Sequence, residues 1–204
     1  MPGRARVPAL LLVLTLVALA VTAIHPHDYF TWVLEVAPIL IAVPILLATA
    51  ARFPLTPLLY RLLAVHALIL MVGGHYTYAE VPLGDWVRAA LGQARNNYDR
   101  LGHLAQGFIP AILTREILLR RTPLRQGGWL FFLVTSVCLA ISACYEFIEW
   151  WTALATGEAA TAFLGTQGDP WDTQWDMFCA LIGAIVAQLL LARVHDRQLA
   201  RLRS

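Results

Sequence analysis

The chain has 204 residues, 59% of them hydrophobic and 14% charged, with a mean hydropathy of +0.64. A soluble domain of this length carries roughly 25% charged residues, so the composition excludes an ordinary soluble protein and points to an integral membrane protein. The formal net charge is only +2, all 15 basic residues are arginine, and no basic cluster interleaves with aromatics, which argues against a nucleic-acid partner.

Taken in order, Arg4 and Arg6 precede an apolar run over 7–24. Its roughly 18 residues are enough to cross a ~30 Å hydrocarbon core. It is read as an anchor; a cleaved signal is the rival reading, because Val21-Thr22-Ala23 resembles a small-residue cleavage site. A second helix is predicted over 29–50, with Glu35 about two turns in and Pro38 and Pro44 as kinks that neighbouring helices can accommodate. A third is predicted over 58–73, ending at Gly73-Gly74-His75. Residues 83–94 read as a short interfacial helix carrying Trp86. Further spans are predicted over 98–119, 128–151 and 172–194, with a turn-forming Gly165–Pro170 connection before the last. The three cysteines, Cys138, Cys144 and Cys179, fall in apolar runs and read as buried small hydrophobes, a Cys144–Cys179 bond being the disfavoured alternative. No repeat or linker divides residues 1–204, so a single domain is expected.

Six helices make alternating loops. Twelve arginines (4, 6, 52, 61, 115, 120, 121, 125, 193, 197, 201 and 203) fall on one side, and only Arg88, Arg95 and Arg100 on the other. The positive-inside rule then puts both termini in the cytoplasm. Trp32, Trp86, Trp150, Trp151, Trp171 and Trp175 map to the outer boundary as an aromatic belt.

This topology gathers ionisable residues at the outer leaflet. Asp99 and His103 are four apart and share a helix face. Glu146 and Glu149 close the fifth helix, Asp172 and Asp176 open the sixth, and His75 ends the third. At ~1.5 Å per residue, Glu146 lies about 7 Å deeper than Trp151, where ionisable groups face a bundle interior or a wet cavity. Each group also has a structural reading. Asp99 and Asp172 can serve as helix-start acids, and Asn97 as a cap. The whole set can form an ion-pair network with Arg95 and Arg100. Glu146 and Glu149 resist that reading best, because a helix C-terminus disfavours acids, so they need a cation, a proton or an arginine.

Two chemistries fit. Carboxylates with imidazole can hold Zn²⁺, Mn²⁺ or Mg²⁺, and crowded carboxylates can act as proton acceptors, in acid/base catalysis or in a relay. Polar residues nearer the inner side are sparse: His66, Gln188 and the Arg115-Glu116 pair. They make no continuous path, which weighs against transport. No serine or cysteine nucleophile motif is present.

Several segments resemble the YjdF-like bacterial inner-membrane family: His75-Tyr76-Thr77-Tyr78, Arg95 through His103 with Gln106-Gly107, Arg115-Glu116, Tyr145-Glu146 with Glu149-Trp150, and Phe163 through Asp169 with Trp171-Asp172, Gln174 and Asp176-Met177. The resemblance implies a multi-pass inner-membrane protein and assigns no reaction. A looser similarity is to VanZ-like membrane proteins, which are linked to glycopeptide resistance at the cell envelope. Asp99-Arg100-x-x-His103, Glu146 and Glu149 match their pattern. Asp172-x-x-x-Asp176 has one residue too many between its acids, and Ala180 stands where an Asn is expected, although Gly183 fits.

The expectation is an all-α, six-transmembrane-helix bundle in the inner membrane, both termini cytoplasmic. Asp99, His103, Glu146, Glu149, Asp172 and Asp176 are candidate acid/base groups or metal ligands, with His75 as a further ligand. The expected cofactor is a divalent metal (Zn, Mn or Mg), and the expected partners are membrane lipid and a lipid-linked or envelope headgroup. The alternative is a non-enzymatic transporter or scaffold using the same residues as a proton site or ion-pair network.

Overall fold

In a hydrocarbon surrounding, every backbone N–H and C=O must be satisfied within the chain, and long apolar runs accordingly become helices. The computed structural model describes residues 3–203, apart from the side chains of residues 3–5, 158, 159 and 203. The side chains of Arg4 and Arg203, both counted above on the basic side, therefore lie outside the described residues. The elements are α1 (Gly3–Thr22), α2 (Tyr29–Thr49), α3 (Pro57–Tyr76), α4 (Pro82–Leu91), α5 (Tyr98–Arg121), α6 (Gly128–Thr156), α7 (Thr161–Leu164) and α8 (Asp172–Arg203). Short 3₁₀ turns precede α4 and α7, and no strand occurs among the described residues.

Among the described residues four helices, α2, α3, α6 and α8, are long and apolar enough to cross a membrane. The sequence expectation of six spans meets two helices of different character. α1 contributes a shorter apolar stretch, Arg6–Thr22, and α5 carries Asp99, Arg100, Arg115, Glu116, Arg120 and Arg121. Three predicted ends also move. α3 continues through Gly73 and Gly74 to Tyr76, because these glycines are close-packed positions rather than terminators; Gly74 faces Glu35 and Trp32 of α2. α8 continues past 194 to Arg203, held there by buried Leu199 and by Gln198, whose Oε1 accepts from the Leu58 N–H at 2.8 Å. α6 runs on to Thr156 and stops at Gly157, which has φ +60°. The predicted interfacial helix forms as α4, with Trp86 72% exposed.

Hydrogen bonds fix how the helices run. α1 ends beside the end of α3, where His75 Nδ1 lies 2.9 Å from the Thr22 carbonyl oxygen. α2, α5 and α8 start at that same end, and α6 finishes there, as the site contacts below require. The opposite end carries the arginines, and there Arg120 donates to the Pro54 carbonyl at 2.7 Å.

The α5–α8 crossing is the tightest in the bundle. A Cβ at Gly107 would collide with the Ala180 carbonyl, and one at Gly183 with the Leu104 carbonyl. Small residues let the two backbones approach as in other membrane helix pairs, with Ala180, Ala184 and Ala187 fully buried along the same seam. Because the two helices run in the same direction, their first turns lie side by side, and so do the acids they carry.

The basic end is knotted by a second buried cluster. Glu116, fully buried, accepts from Thr56 Oγ1 at 2.8 Å, from the Thr56 N–H, and from Arg120 at 2.7 Å. His195 Nε2 lies 3.0 Å from Glu116 Oε2, and its Nδ1 lies 2.9 Å from Arg115 Nη1. Arginine only donates, so Nδ1 accepts and Nε2–H donates to Glu116, which fixes a neutral imidazole in one tautomer. Arg115 also pairs with Asp196 at 2.6 Å. Arg115-Glu116 stand out in the sequence, whereas His195 and Asp196, one and two residues past the predicted end of α8, do not.

The cysteines are all free. Cys138 is buried as expected; Cys144 is exposed and Cys179 only half-buried, because their helix faces look away from the packed seams.

Candidate functional site

His103 is the centre of the acidic end. It lies one turn into α5 from Asp99, and its Nε2 is 3.5 Å from Asp99 Oδ1 and 3.9 Å from Asp176 Oδ2 of α8. Its Nδ1 is 3.2 Å from Gln106 Oε1 and 3.9 Å from Glu146 Oε1 of α6. Gln106 Oε1 can only accept, so Nδ1 carries a hydrogen, while Nε2 faces the Asp99 and Asp176 carboxylates. Tyr145 stands edge-on to the ring, with centroids 6.2 Å apart.

Two triads of possible ligands share this imidazole: Asp99, His103 and Asp176 on one side, and His103, Glu146 and Glu149 on the other. In each, one ligand atom per residue lies within 4.8 Å of the other two. Asp99, His103, Glu146 and Asp176 are buried, and Glu149 is half-buried. Asp176 Oδ1 and Glu146 Oε1 are buried with no hydrogen-bond partner. A buried carboxylate oxygen without a partner is costly and needs a proton or a cation.

The arginines do not supply that cation. Arg95 Nη1 bonds Asp172 Oδ1 at 2.5 Å and lies 3.4 Å from Asp169, while its Nη2 is 3.8 Å from Asp99 Oδ2. Burial works against the Arg95 charge, but the Asp172 hydrogen bond and the surrounding carboxylates outweigh it and raise the guanidinium pKa above its ordinary value. Arg100 bonds Asp169 at 2.8 Å and lies over the Trp175 ring. Among the described residues neither reaches Glu146 or Glu149. Asp172 is therefore the counter-ion of Arg95, set apart from the triads, while Asp176, one turn further along α8, faces His103.

The loops are clamped around this site. Asn96 N–H donates to Gln167 Oε1 at 3.0 Å, and Gln167 Nε2 donates back to the Asn96 carbonyl at 2.8 Å. The predicted cap, Asn97, makes no side-chain cap bond to α5; Asn96 Oδ1 accepts from the Tyr98 N–H instead, because Asn97 turns out to bond Gln93.

His75, the predicted extra ligand, is not brought to the cluster. Its ring is engaged with the Thr22 carbonyl and lies edge-on to Tyr76, because α3 runs one turn longer than the sequence suggested. Glu35 joins instead. It is buried on α2 and accepts from Tyr145 Oη at 3.1 Å. The signal was present, since an acid inside an apolar span is functional by default, but one sequence gives no means of telling which neighbour Glu35 meets.

The profile of the family described as predicted membrane protein (DUF2238) matches residues 7–197. The chain belongs to this family. It is 59% identical over 190 residues to the inner membrane protein YjdF of Escherichia coli (strain K12), a match covering 93% of this chain and 90% of that protein. With its membrane-length helices, this DUF2238 member is an inner-membrane protein, as the YjdF-like resemblance implied. No solved structure matches the chain.

Proposed function

We propose that the acidic end of this DUF2238 protein binds a divalent metal cation. Asp99, Asp176 and His103 Nε2 are the primary ligands, and Glu146 and Glu149 supply carboxylates on the other face of the ring. Gln106 orients the imidazole from its Nδ1 side, as outer-shell groups do at metal-bound histidines. The observation that carries the reading is the unpartnered, buried Asp176 Oδ1 in a triad whose ligand atoms already converge. A donor set of several carboxylate oxygens and one imidazole suits Mn²⁺ or Zn²⁺, with Mg²⁺ a weaker ligand-exchanging occupant.

The proposal includes the six-span topology with both termini cytoplasmic. Twelve arginines at one end against three at the other support it, as do the exposed Trp86, Trp150, Trp151, Trp171 and Trp175 at the acidic end. The cation then faces the outer leaflet, where a polar lipid-linked headgroup is the ligand a metal would hold. The test is a thermal-shift titration of detergent-purified protein with Mn²⁺ and Zn²⁺. Saturable stabilisation that disappears in His103→Ala supports the site; equal stabilisation of the variant contradicts it.

A proton site is the second reading, favoured by the Tyr145–Glu35 hydrogen bond beside carboxylates that no arginine neutralises. Proton-coupled uptake into proteoliposomes that is lost in Glu146→Gln would select it, whereas uptake unchanged in that variant, or none, would reject it.

A further inference from the structure

Away from the acidic site, a cavity of about 1080 Å³ opens between α1, α2 and α3. Its walls are residues 7–15 of α1, 38–50 of α2 and 57–70 of α3, with Pro110 and Leu113 of α5 behind them. The lining is aliphatic for most of its length. At ~1.5 Å per residue the α2 and α3 walls run for about 18–20 Å, a little over one leaflet of a ~30 Å hydrocarbon core. The charged groups collect at one end, where Arg61 and Arg201 line it beside Tyr60 and Gln198. Two polar residues lie deeper, Thr15 of α1 and His66 of α3. His66, five residues beyond Arg61 on α3 and so about 7.5 Å further in, lines the cavity with its buried Nε2 lacking any hydrogen-bond partner.

We propose that this cavity is a phospholipid site, independent of the cation site. It takes one anionic glycerophospholipid of the adjoining leaflet. The phosphate lies against Arg61 and Arg201, the acyl chains run along the α2–α3 wall, and the His66 imidazole meets an ester carbonyl. Three observations choose this occupant. The length matches one leaflet, where a spanning helix would need the whole bilayer. The cations stand at one end of an apolar slot, as in basic pockets that bind anionic headgroups between membrane helices. The His66 Nε2, buried without a hydrogen-bond partner, stands about 7.5 Å further in than Arg61, a spacing that suits a glycerol ester below its phosphate. The large volume with few, localised polar groups is that of a ligand pocket.

The experiment is native mass spectrometry of the full chain after exhaustive detergent exchange, followed by reloading from micelles with phosphatidylglycerol or phosphatidylethanolamine in equal amounts. The proposal expects one phospholipid retained per protomer, with phosphatidylglycerol preferred at least fivefold. Ala42→Trp, which fills the slot, should lower occupancy at least tenfold while the elution volume and helical circular dichroism stay those of the wild type. Arg61→Ala, on an exposed turn, should keep a lipid but lose most of the preference. No retained lipid, equal occupancy in Ala42→Trp, an unchanged preference in Arg61→Ala, binding of inorganic phosphate alone with no lipid, or a dimer mass in which a second copy excludes lipid would each overturn it.

Discussion

At the basic end, Glu116 receives hydrogen bonds from Thr56, Arg120 and His195, and His195 in turn faces Arg115. At the acidic end, on the same helix α5, His103 faces Asp99, Asp176 and Glu146 at 3.5–3.9 Å, and two carboxylate oxygens have no hydrogen-bond partner. Both clusters are buried and both join an imidazole to carboxylates of neighbouring helices. They differ in whether the charges are answered. Two arginines complete the first, so it can hold α3, α5 and α8 together without a ligand. The second has its arginine drawn off by Asp172 and Asp169, which leaves Asp176 Oδ1 and Glu146 Oε1 without a hydrogen bond; in the proposed cation site a bound metal answers them. In a low-dielectric interior a satisfied network rigidifies, and an unpaired buried polar group is costly.

The difference can be broken by substitution, beginning with the largest effect. Glu116→Ala leaves Arg120 and His195 facing an uncompensated gap, and removing one partner of a buried ion pair costs about 3–5 kcal/mol. The thermal midpoint in detergent should fall sharply and should not recover with added metal. Asp176→Asn should do the reverse. It relieves carboxylate crowding, so the chelated protein should be no less stable than the chelated wild type. The variant should forfeit the stabilisation that a bound cation gives, about 2.7 kcal/mol at a hundred times the dissociation constant. A smaller effect is expected for Gln106→Leu, which frees the Nδ1 side of His103. Metal affinity should drop about 10- to 100-fold in a titration, with little change in the midpoint of the chelated protein.

The smallest effect lies outside both clusters. Asp28 caps α2, its carboxylate accepting from the Thr31 N–H at 2.6 Å. That backbone hydrogen bond, against the opposing effect of burial, holds the Asp28 pKa below its ordinary value. Because the folded pKa is depressed, the stabilisation is present above the unfolded value and is lost as pH falls through the folded one. Asp28→Ala should cost about 1 kcal/mol at neutral pH, with the gap from wild type closing in melts at strongly acidic pH.

Much of this contrast was legible in the residues. The run Asp99-x-x-x-His103 and the acids of α6 and α8 mark the site, because charged groups inside apolar runs stand out against their surroundings and helical spacing sets their shared face. The partition among those acids was not legible. Asp172 and Asp176 look alike in sequence, and only the Asn96–Gln167 clamp, which brings Arg95 over the start of α8, makes one the counter-ion of Arg95 and leaves the other facing His103. Glu35 and His75 show the same limit. Which interhelical neighbour a residue meets depends on the Gly107–Ala180 crossing and on where α3 ends, and both are set by packing between distant segments. His195 was hidden for a simpler reason: it sits among polar residues after the apolar run of α8, where a histidine carries no contrast.

The most direct test of the central claim is metal content per protomer, by inductively coupled plasma mass spectrometry on protein loaded with Mn²⁺ or Zn²⁺ and then desalted. The account predicts close to one bound ion in the wild type and in Glu116→Gln, and essentially none in Asp176→Asn or His103→Ala. Equal metal in all four proteins, or none in the wild type under loading, would contradict it.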